Sequence, residues 1–356
     1  MVRLKGKDMK KIRFGIIGAG GIADRRTIPG LLKSEKAELI AVMGPNAERT
    51  EAIRAKYNAR FAYTSEEDLL KNPEIDAVYI ASPVNMHLSQ AKLAADYGKH
   101  ILLEKPLALT AEDAQELLEY CEARKVRVAA GFMMRFGTCI NAMKDAYRSG
   151  RIGKLVSAYA QFTCWYPDIK GSWRQQKSLG GGGALMDMGV HMIDLIHYVT
   201  GSRTCQVAAM HDTLAFSYEV EDSSNVMLRL ENGALCTVQS NFSIPDEAAK
   251  WRFELFGTKG RLMGSEIIGQ VDAGDVEALF LEENSAYDAQ QGGNKPASVQ
   301  HLTGEFGDLY QRQIDSFCDS LLNHKPLEVD AREGLFAQRV VQAAYQSNDE
   351  NRIIFL

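Results

Sequence analysis

No apolar run in this sequence of 356 residues approaches the roughly 18 to 20 residues that a membrane-crossing helix requires. A membrane partner is therefore not expected. The six cysteines, Cys121, Cys139, Cys164, Cys205, Cys236 and Cys318, are scattered and form no Cys-x-x-Cys pair. That spacing excludes a compact disulfide framework and fits structural thiols in a reducing, cytoplasmic setting. A net charge of −5 gives no global pull toward nucleic acid. Nor is there an internal repeat. The basic start (Arg3, Lys5, Lys7, Lys10, Lys11) leads into the short apolar run Ile12–Ile17, which reads as a first strand behind a loose tail rather than a signal peptide.

What remains is ordinary globular composition, with 46% hydrophobic and 24% charged residues, and enough chain for two domains. Up to about residue 131, short apolar runs (Ile12–Ile17, Glu38–Met43, Ala77–Ala81, His100–Leu103, Val126–Ala130) alternate with helical patterns (22–33, 48–57, 86–97, 111–125). Runs that are apolar throughout and separated by helices predict a parallel sheet covered on both faces. Thr110 with Asp113 predicts a cap for the last of these helices. From residue 132 to 356 the texture changes. Strand patterns dominate at 155–162, 224–230, 234–242 and 252–257, and Asn232-Gly233 predicts a hairpin. One helix is expected at 184–199. A polar loop is expected at 283–304, followed by helices at 306–323 and 331–346 that can pack back on the first domain. The fold class is thus α/β: a Rossmann domain over 1–131, then a substrate-binding and oligomerisation domain over 132–356 with a large, open, mostly antiparallel sheet.

Gly18-x-Gly20-x-x-Ala23 lies between the first strand and the first helix, the context in which the pattern signals a dinucleotide loop. Gly18 permits the turn, Gly20 and Gly21 let backbone approach a pyrophosphate, and Ile22 opens the helix whose N–H groups face it. At the end of the second strand an acidic residue would ordinarily bind the ribose hydroxyls. This chain has Gly44 there, then Asn46 and Arg49. Arg49 is a candidate for a 2′-phosphate and equally an ordinary helix-surface arginine, so NAD and NADP both stay open. Ser82, Pro83 and Asn85 follow the 77–81 run and are candidates for the ribose and nicotinamide side; His87 is a candidate to face the cofactor and equally a local hydrogen-bond partner in the first turn of a helix.

Glu104-Lys105-Pro106 ends the run His100–Leu103. A lysine at a buried strand end is costly unless its charge or proton is used. Gly180–Gly183 precede a helix in which Asp187, His191 and Asp194 share a face at i, i+4 and i+7. A carboxylate beside an imidazole fixes its tautomer and raises its basicity, which makes His191 an acid/base candidate and Asp187 its orienter or a substrate ligand. Trp173 and Arg174 offer an aromatic face and a cation, and Arg135 is a further cation candidate for substrate. No cluster of His and Cys completes a metal site.

Taken jointly, Gly18 to Ala23, Glu74 to Val78 with Pro83 and His87, Gly98 to Pro106, and Gly181 to His191 resemble the Gfo/Idh/MocA family (glucose–fructose oxidoreductase, inositol dehydrogenase, rhizopine catabolism). The resemblance runs from about residue 12 to the last helix. It implies NAD or NADP, with Glu104 and Lys105 beside the cofactor. It assigns catalytic roles to Lys105, Asp187 and His191, and it implies a homo-oligomer, dimer or tetramer, built on the open sheet. The expected reaction is hydride transfer between nicotinamide and a secondary alcohol or ketone of a sugar, cyclitol or related polyol. Two rivals remain: a glycoside hydrolase with a tightly held, recycled NAD, and a dinucleotide sensor without catalysis.

Overall fold

The computed structural model describes residues 10–282 and 298–356. Arg3, Lys5 and Lys7 of the basic start, and residues 283–297 of the expected loop, lie outside them. The described residues fall into two compact units. One comprises the chain up to Met133 together with Asp308–Leu335, the other Met134–Gly307 with Phe336–Leu356.

The first unit holds a six-stranded sheet: β1 (Ile12–Ile17), β2 (Ala37–Met43), β3 (Phe61–Tyr63), β4 (Ala77–Ile80), β5 (His100–Leu103) and β6 (Val128–Ala130). The order is β3-β2-β1-β4-β5-β6, and every pairing is parallel. β4 is buried throughout and β1 nearly so, as continuous apolar runs require when helices cover both faces. The strand order reverses between β1 and β4, and ligands of such sheets bind beyond the carboxyl ends of the strands at that point. Thr110 caps the helix Ala111–Ala123 by accepting the Asp113 N–H at 3.0 Å.

A late helix, Leu309–Leu322, joins this unit. Ile314, Phe317, Cys318 and Leu321 sit in one core with Phe14, Ile16 and Val42. It begins at Leu309 rather than Phe306, because the Asp308 carboxylate accepts the N–H groups of Tyr310 and Gln311 (3.0 and 3.1 Å) and so fixes the first turn.

The second unit is built on nine strands: β7 (Leu155–Thr163), β8 (Thr204–Asp212), β9 (Ser223–Leu230), β10 (Leu235–Asn241), β11 (Arg252–Gly257), β12 (Gly260–Ser265), β13 (Asp275–Phe280), β14 (Val299–Leu302) and β15 (Ile354–Phe355). Their order is β14-β13-β12-β11-β7-β10-β9-β8-β15. Among the described residues only β7 and β10 pair in parallel here, so the sheet is mixed and mostly antiparallel. The expected hairpin joins β9 to β10, with Gly233 at φ +90°. β14 corrects the expectation of an unbroken loop up to residue 304: Val299–Leu302 pairs as a strand with β13. One face of the sheet packs on helices, including Thr138–Arg148 and Val190–Thr200. On the other face Met210, Met227, Leu235 and Phe355 are each more than half exposed, on the adjacent strands β8, β9, β10 and β15.

Within this unit Arg135, expected as a cation for substrate, is already engaged by an acid. It is buried, and its Nε and Nη2 donate to the two carboxylate oxygens of Asp194 at 2.9 and 2.5 Å. The guanidinium also lies 4.9 Å from the Tyr198 ring centre. The pair fixes Arg135 of the short turn Met133–Phe136 to the helix Val190–Thr200, and it engages the carboxylate of Asp194, which lies three residues beyond His191 on that helix.

Breaking one partner of a buried ion pair leaves an uncompensated charge, whereas replacing both with apolar groups does not. Asp194→Ala is therefore expected to lower stability by about 3–5 kcal/mol, and Arg135→Met/Asp194→Leu by clearly less. Denaturant unfolding of the two variants checks the order; a double variant as unstable as the single one would contradict it.

Candidate active site

The nucleotide loop is shaped by close approach. Gly18 has φ +79°, and a Cβ there would lie 2.7 Å from the backbone nitrogen of Ser82 and 2.8 Å from the carbonyl carbon of Ala81. The loop is thus pressed onto the end of β4, with the Gly18 and Ala19 N–H groups bonded to the Met43 carbonyl on the β2 side. Gly21 also takes positive φ, +57°, but in open space. Ile22 precedes a π-helical turn, Ala23–Thr27, before the α-helix Ile28–Lys33.

At Gly20 a Cβ would stand 2.9 Å from a guanidinium nitrogen of Arg49, so this cation lies over the loop. Asn46 holds Arg49 there, since its side chain accepts the Arg49 N–H at 2.9 Å and caps the helix Ala47–Tyr57. Gly44 is tied down from the same helix: Thr50 Oγ1 donates to its carbonyl at 3.1 Å. A glycine cradle without side chains, next to a cation and without an acid at the end of β2, fits a dinucleotide and leaves room and charge for a 2′-phosphate.

Beyond β4, Ser82 touches the Gly18 position and Pro83 leads into the turn Val84–Met86, where Asn85 is exposed. His87 has the contacts of a hydrogen-bond partner, the second of its two readings. It is 1% exposed, and its ring nitrogens lie 3.0 Å from the carbonyl oxygens of Pro106 and Ser82. Burial pushes its pKa down to about 4, so at neutral pH the ring is uncharged. His87 therefore lies buried between the loop after β4 and the loop after β5, and its single N–H donates to one of the two carbonyls.

Glu104 is likewise turned into the protein. It accepts the Tyr79 hydroxyl proton on one oxygen and the Lys105 N–H on the other at 3.2 Å, while Thr27 donates to Tyr79 at 3.0 Å. Burial, reinforced by the Glu104 charge, holds the Tyr79 pKa well above its usual value, so the phenol stays a donor. The Gly131 position leaves space for the carboxylate: a Cβ there would meet Glu104 at 3.1–3.2 Å. The lysine that follows, Lys105, is half-buried at the end of β5, with a cis peptide bond to Pro106.

In the second unit, Glu221 was not visible as a functional residue in the sequence. Its buried carboxylate accepts the backbone N–H groups of Gly183 and Leu185 (3.0 and 2.9 Å) and the Tyr345 hydroxyl (2.8 Å), and its own carbonyl accepts the Ala184 N–H. Gly183 is required for this contact, since a Cβ there would lie 2.0 Å from that carbonyl oxygen. Glu221 thereby caps, from another element, the first N–H groups of the segment that carries Asp187 and His191. Burial raises its pKa, against the hydrogen bonds that favour the charged form. The only sequence sign was a pair of acids, Glu221-Asp222, directly before a buried strand.

The segment opens with a second π-helical turn, Leu185–Gly189, and becomes α-helical at Val190. π turns recur at functional sites because they reorient a side chain within a helix. Asp187 keeps 27% side-chain exposure, and Arg174 Nε donates to it at 3.4 Å. Arg174 also lies 4.2 Å from the Trp173 ring centre, so Trp173, Arg174 and Asp187 form one group. His191 is 3% exposed. Among the described residues, no group of three or more His, Cys, Asp or Glu is placed to hold a metal ion.

Comparison with known proteins agrees with this geometry. Residues 12–132 match the model of an oxidoreductase family with an NAD-binding Rossmann fold, and residues 140–263 match the GFO/IDH/MocA C-terminal domain. The chain is 31% identical to 1,5-anhydro-D-fructose reductase of Ensifer adhaerens, across 91% of this chain and 92% of that one. It is 27% identical to D-xylose 1-dehydrogenase (NADP(+)) 2 of Haloferax volcanii, across 96% and 99%. Among solved structures, the aldose-aldose oxidoreductase of Caulobacter crescentus, complexed with glycerol, superimposes with a TM-score of 0.87 at 24% identity, covering 98% of this chain and all of that one, and so shares the fold. With both halves of the pattern matched in order along one chain, this protein belongs to the Gfo/Idh/MocA family of NAD(P)-dependent oxidoreductases.

Proposed function

We propose that this oxidoreductase interconverts a secondary alcohol and a ketone on a sugar, cyclitol or related polyol, and that it prefers NADP(H). The observation that carries the reading is Lys105, set directly after β5 and fixed through its own backbone N–H by Glu104. The reductase and dehydrogenase named above act on an anhydrosugar and an aldose, which supports a carbohydrate substrate. Nothing in those relatives supports glycoside hydrolysis. A pure sensor would have no use for Lys105, Asp187 and His191.

The glycine loop and Arg49 hold the dinucleotide, with Ser82 and Pro83 toward its nicotinamide side. A bound dinucleotide would supply the hydride acceptor in one direction and the donor in the other. His191 takes the hydroxyl proton as the alcohol is oxidised and gives it back on reduction. Lys105 hydrogen-bonds a substrate oxygen and stabilises the negative charge that develops on it. Asp187, with Arg174 beside it, grips a neighbouring hydroxyl or orients His191. Trp173 offers an apolar face to the ring.

The exposed apolar residues Met210, Met227, Leu235 and Phe355 support a homo-oligomer formed through the open sheet face. The six free cysteines support a reducing, cytoplasmic setting.

Lys105→Met is expected to lower turnover by at least about a hundredfold while dinucleotide affinity is largely kept; wild-type turnover in this variant would refute the assignment. Arg49→Ala is expected to raise KM for NADPH by roughly tenfold to a hundredfold, the weight of a charged hydrogen bond, with a much smaller effect for NADH. Equal losses with both cofactors would argue against a 2′-phosphate contact. In light scattering, Met227→Asp is expected to shift a multi-chain species toward the single-chain mass. A single-chain mass for the unaltered protein would remove the oligomer.

A further inference from the structure

We infer that two stitched loops, 164–172 and 213–221, form a stacking platform for a second sugar ring, so that the substrate is an uncharged disaccharide or glycoside rather than a lone ring. The inference rests on the carbohydrate reading above. Trp165 is 46% exposed, yet its ring edge is fixed on Phe216, with centroids 5.0 Å apart at 68°, and Phe216 stacks on Tyr218 at 5.5 Å and 28°. Exposed aromatics on loops are usually mobile, but these are not free to drift. The Asp222 carboxylate accepts the N–H groups of Leu214, Ala215 and Phe216 at 2.8–3.0 Å. The Trp165 N–H is held by Asp246 at 2.9 Å. Tyr218 donates to the Tyr166 carbonyl at 3.2 Å, and the Tyr166 hydroxyl bonds Ser172 at 2.7 Å.

The platform is continuous with the grip on Asp187. Cys164, next to Trp165, packs with Tyr166 and Tyr218 against Ala184 and Met188, which flank Asp187. The same loop runs on to Trp173 and to Arg174, whose Nε is 3.4 Å from Asp187. A rigid aromatic surface rimmed by polar groups binds the apolar face of a pyranose at little ordering cost. Its charge decides what kind of substituent fits. The exposed ionisable groups on these loops and the adjoining 243–250 turn are Asp168, Glu219, Asp246 and Glu247, against Lys170 and Lys250, with Arg174 partly exposed and engaged by Asp187. That balance gives a nucleoside diphosphate no cluster of cations and suits a neutral, hydroxyl-rich ring.

The test compares kcat/KM for glucose with cellobiose and for xylose with xylobiose, in the full-length protein and in Trp165→Ala, with calorimetric binding of both disaccharides. The wild type is expected to favour the better disaccharide over its monosaccharide by about tenfold, and Trp165→Ala is expected to bring the ratio near one and weaken disaccharide binding by about tenfold. Phe216→Leu, which keeps an apolar contact under the indole, is expected to give an intermediate ratio if Trp165→Ala folds poorly. A wild-type ratio near one, or a ratio that Trp165→Ala leaves unchanged, overturns the platform. A changed mass in light scattering with no change in ratio also overturns it, because a second copy then covers Trp165. Disaccharide binding that depends on Trp165, without turnover of any sugar, upholds the platform and instead refutes the carbohydrate oxidoreductase reading.

Discussion

A carboxylate withdrawn from water must be met by donors, and in this protein two of them meet backbone N–H groups beside the residues proposed for the chemistry. Glu104 receives Tyr79 and the N–H of Lys105. Glu221 receives the N–H groups of Gly183 and Leu185 and the hydroxyl of Tyr345. In each case a glycine supplies the room: Gly131 beside Glu104, and Gly183 against Glu221. The functional side chains sit one or a few residues further along, on backbone that cannot shift without stranding a charge. Preorganisation of this kind lets a polar site act without reordering itself at each turnover.

The Rossmann half was legible because its signals are local. Continuous apolar runs give buried parallel strands, and Gly18, Gly20 and Ala23 sit where the first of them turns into a helix. Strand and run coincide at Ile12–Ile17 and His100–Leu103. The second unit was less so. β8 mixes Thr204, Gln206 and His211 with small residues because its neighbours, not its own pattern, hold it in place, and β14 is an exposed edge of four residues. The short β3 and the helix Thr138–Arg148 were likewise passed over.

At the site, residue types were readable and their partners were not. His87 could be read as facing a cofactor or as a hydrogen-bond partner, and the carbonyls beside its ring, from residues 82 and 106, could not be named in advance. Arg135 looked like a free cation, yet its partner Asp194 lies 59 residues away. Asp187 lies in a π turn while His191 and Asp194 lie on the α-helix that follows it, and the Asp194 carboxylate is engaged by Arg135. Glu221 bonds main-chain atoms 36 and 38 residues upstream, which carry no side-chain signature at all. The sequence names chemistry wherever it needs a particular side chain, and is silent wherever it uses backbone.

The placement of β7 has a consequence for how the chain is made. It lies in the interior of the nine-stranded sheet, between β11 and β10, although both neighbours come later in the chain: β7 ends at Thr163 and β10 begins only at Leu235. A ribosome adding roughly 5–20 residues per second leaves β7 with two open edges for about four to fourteen seconds. Through that interval the strand is a template for any passing edge, and its pairing must wait for a long loop to close. The second unit is thus the part of this molecule most dependent on being shielded while it is born, whatever its stability once complete.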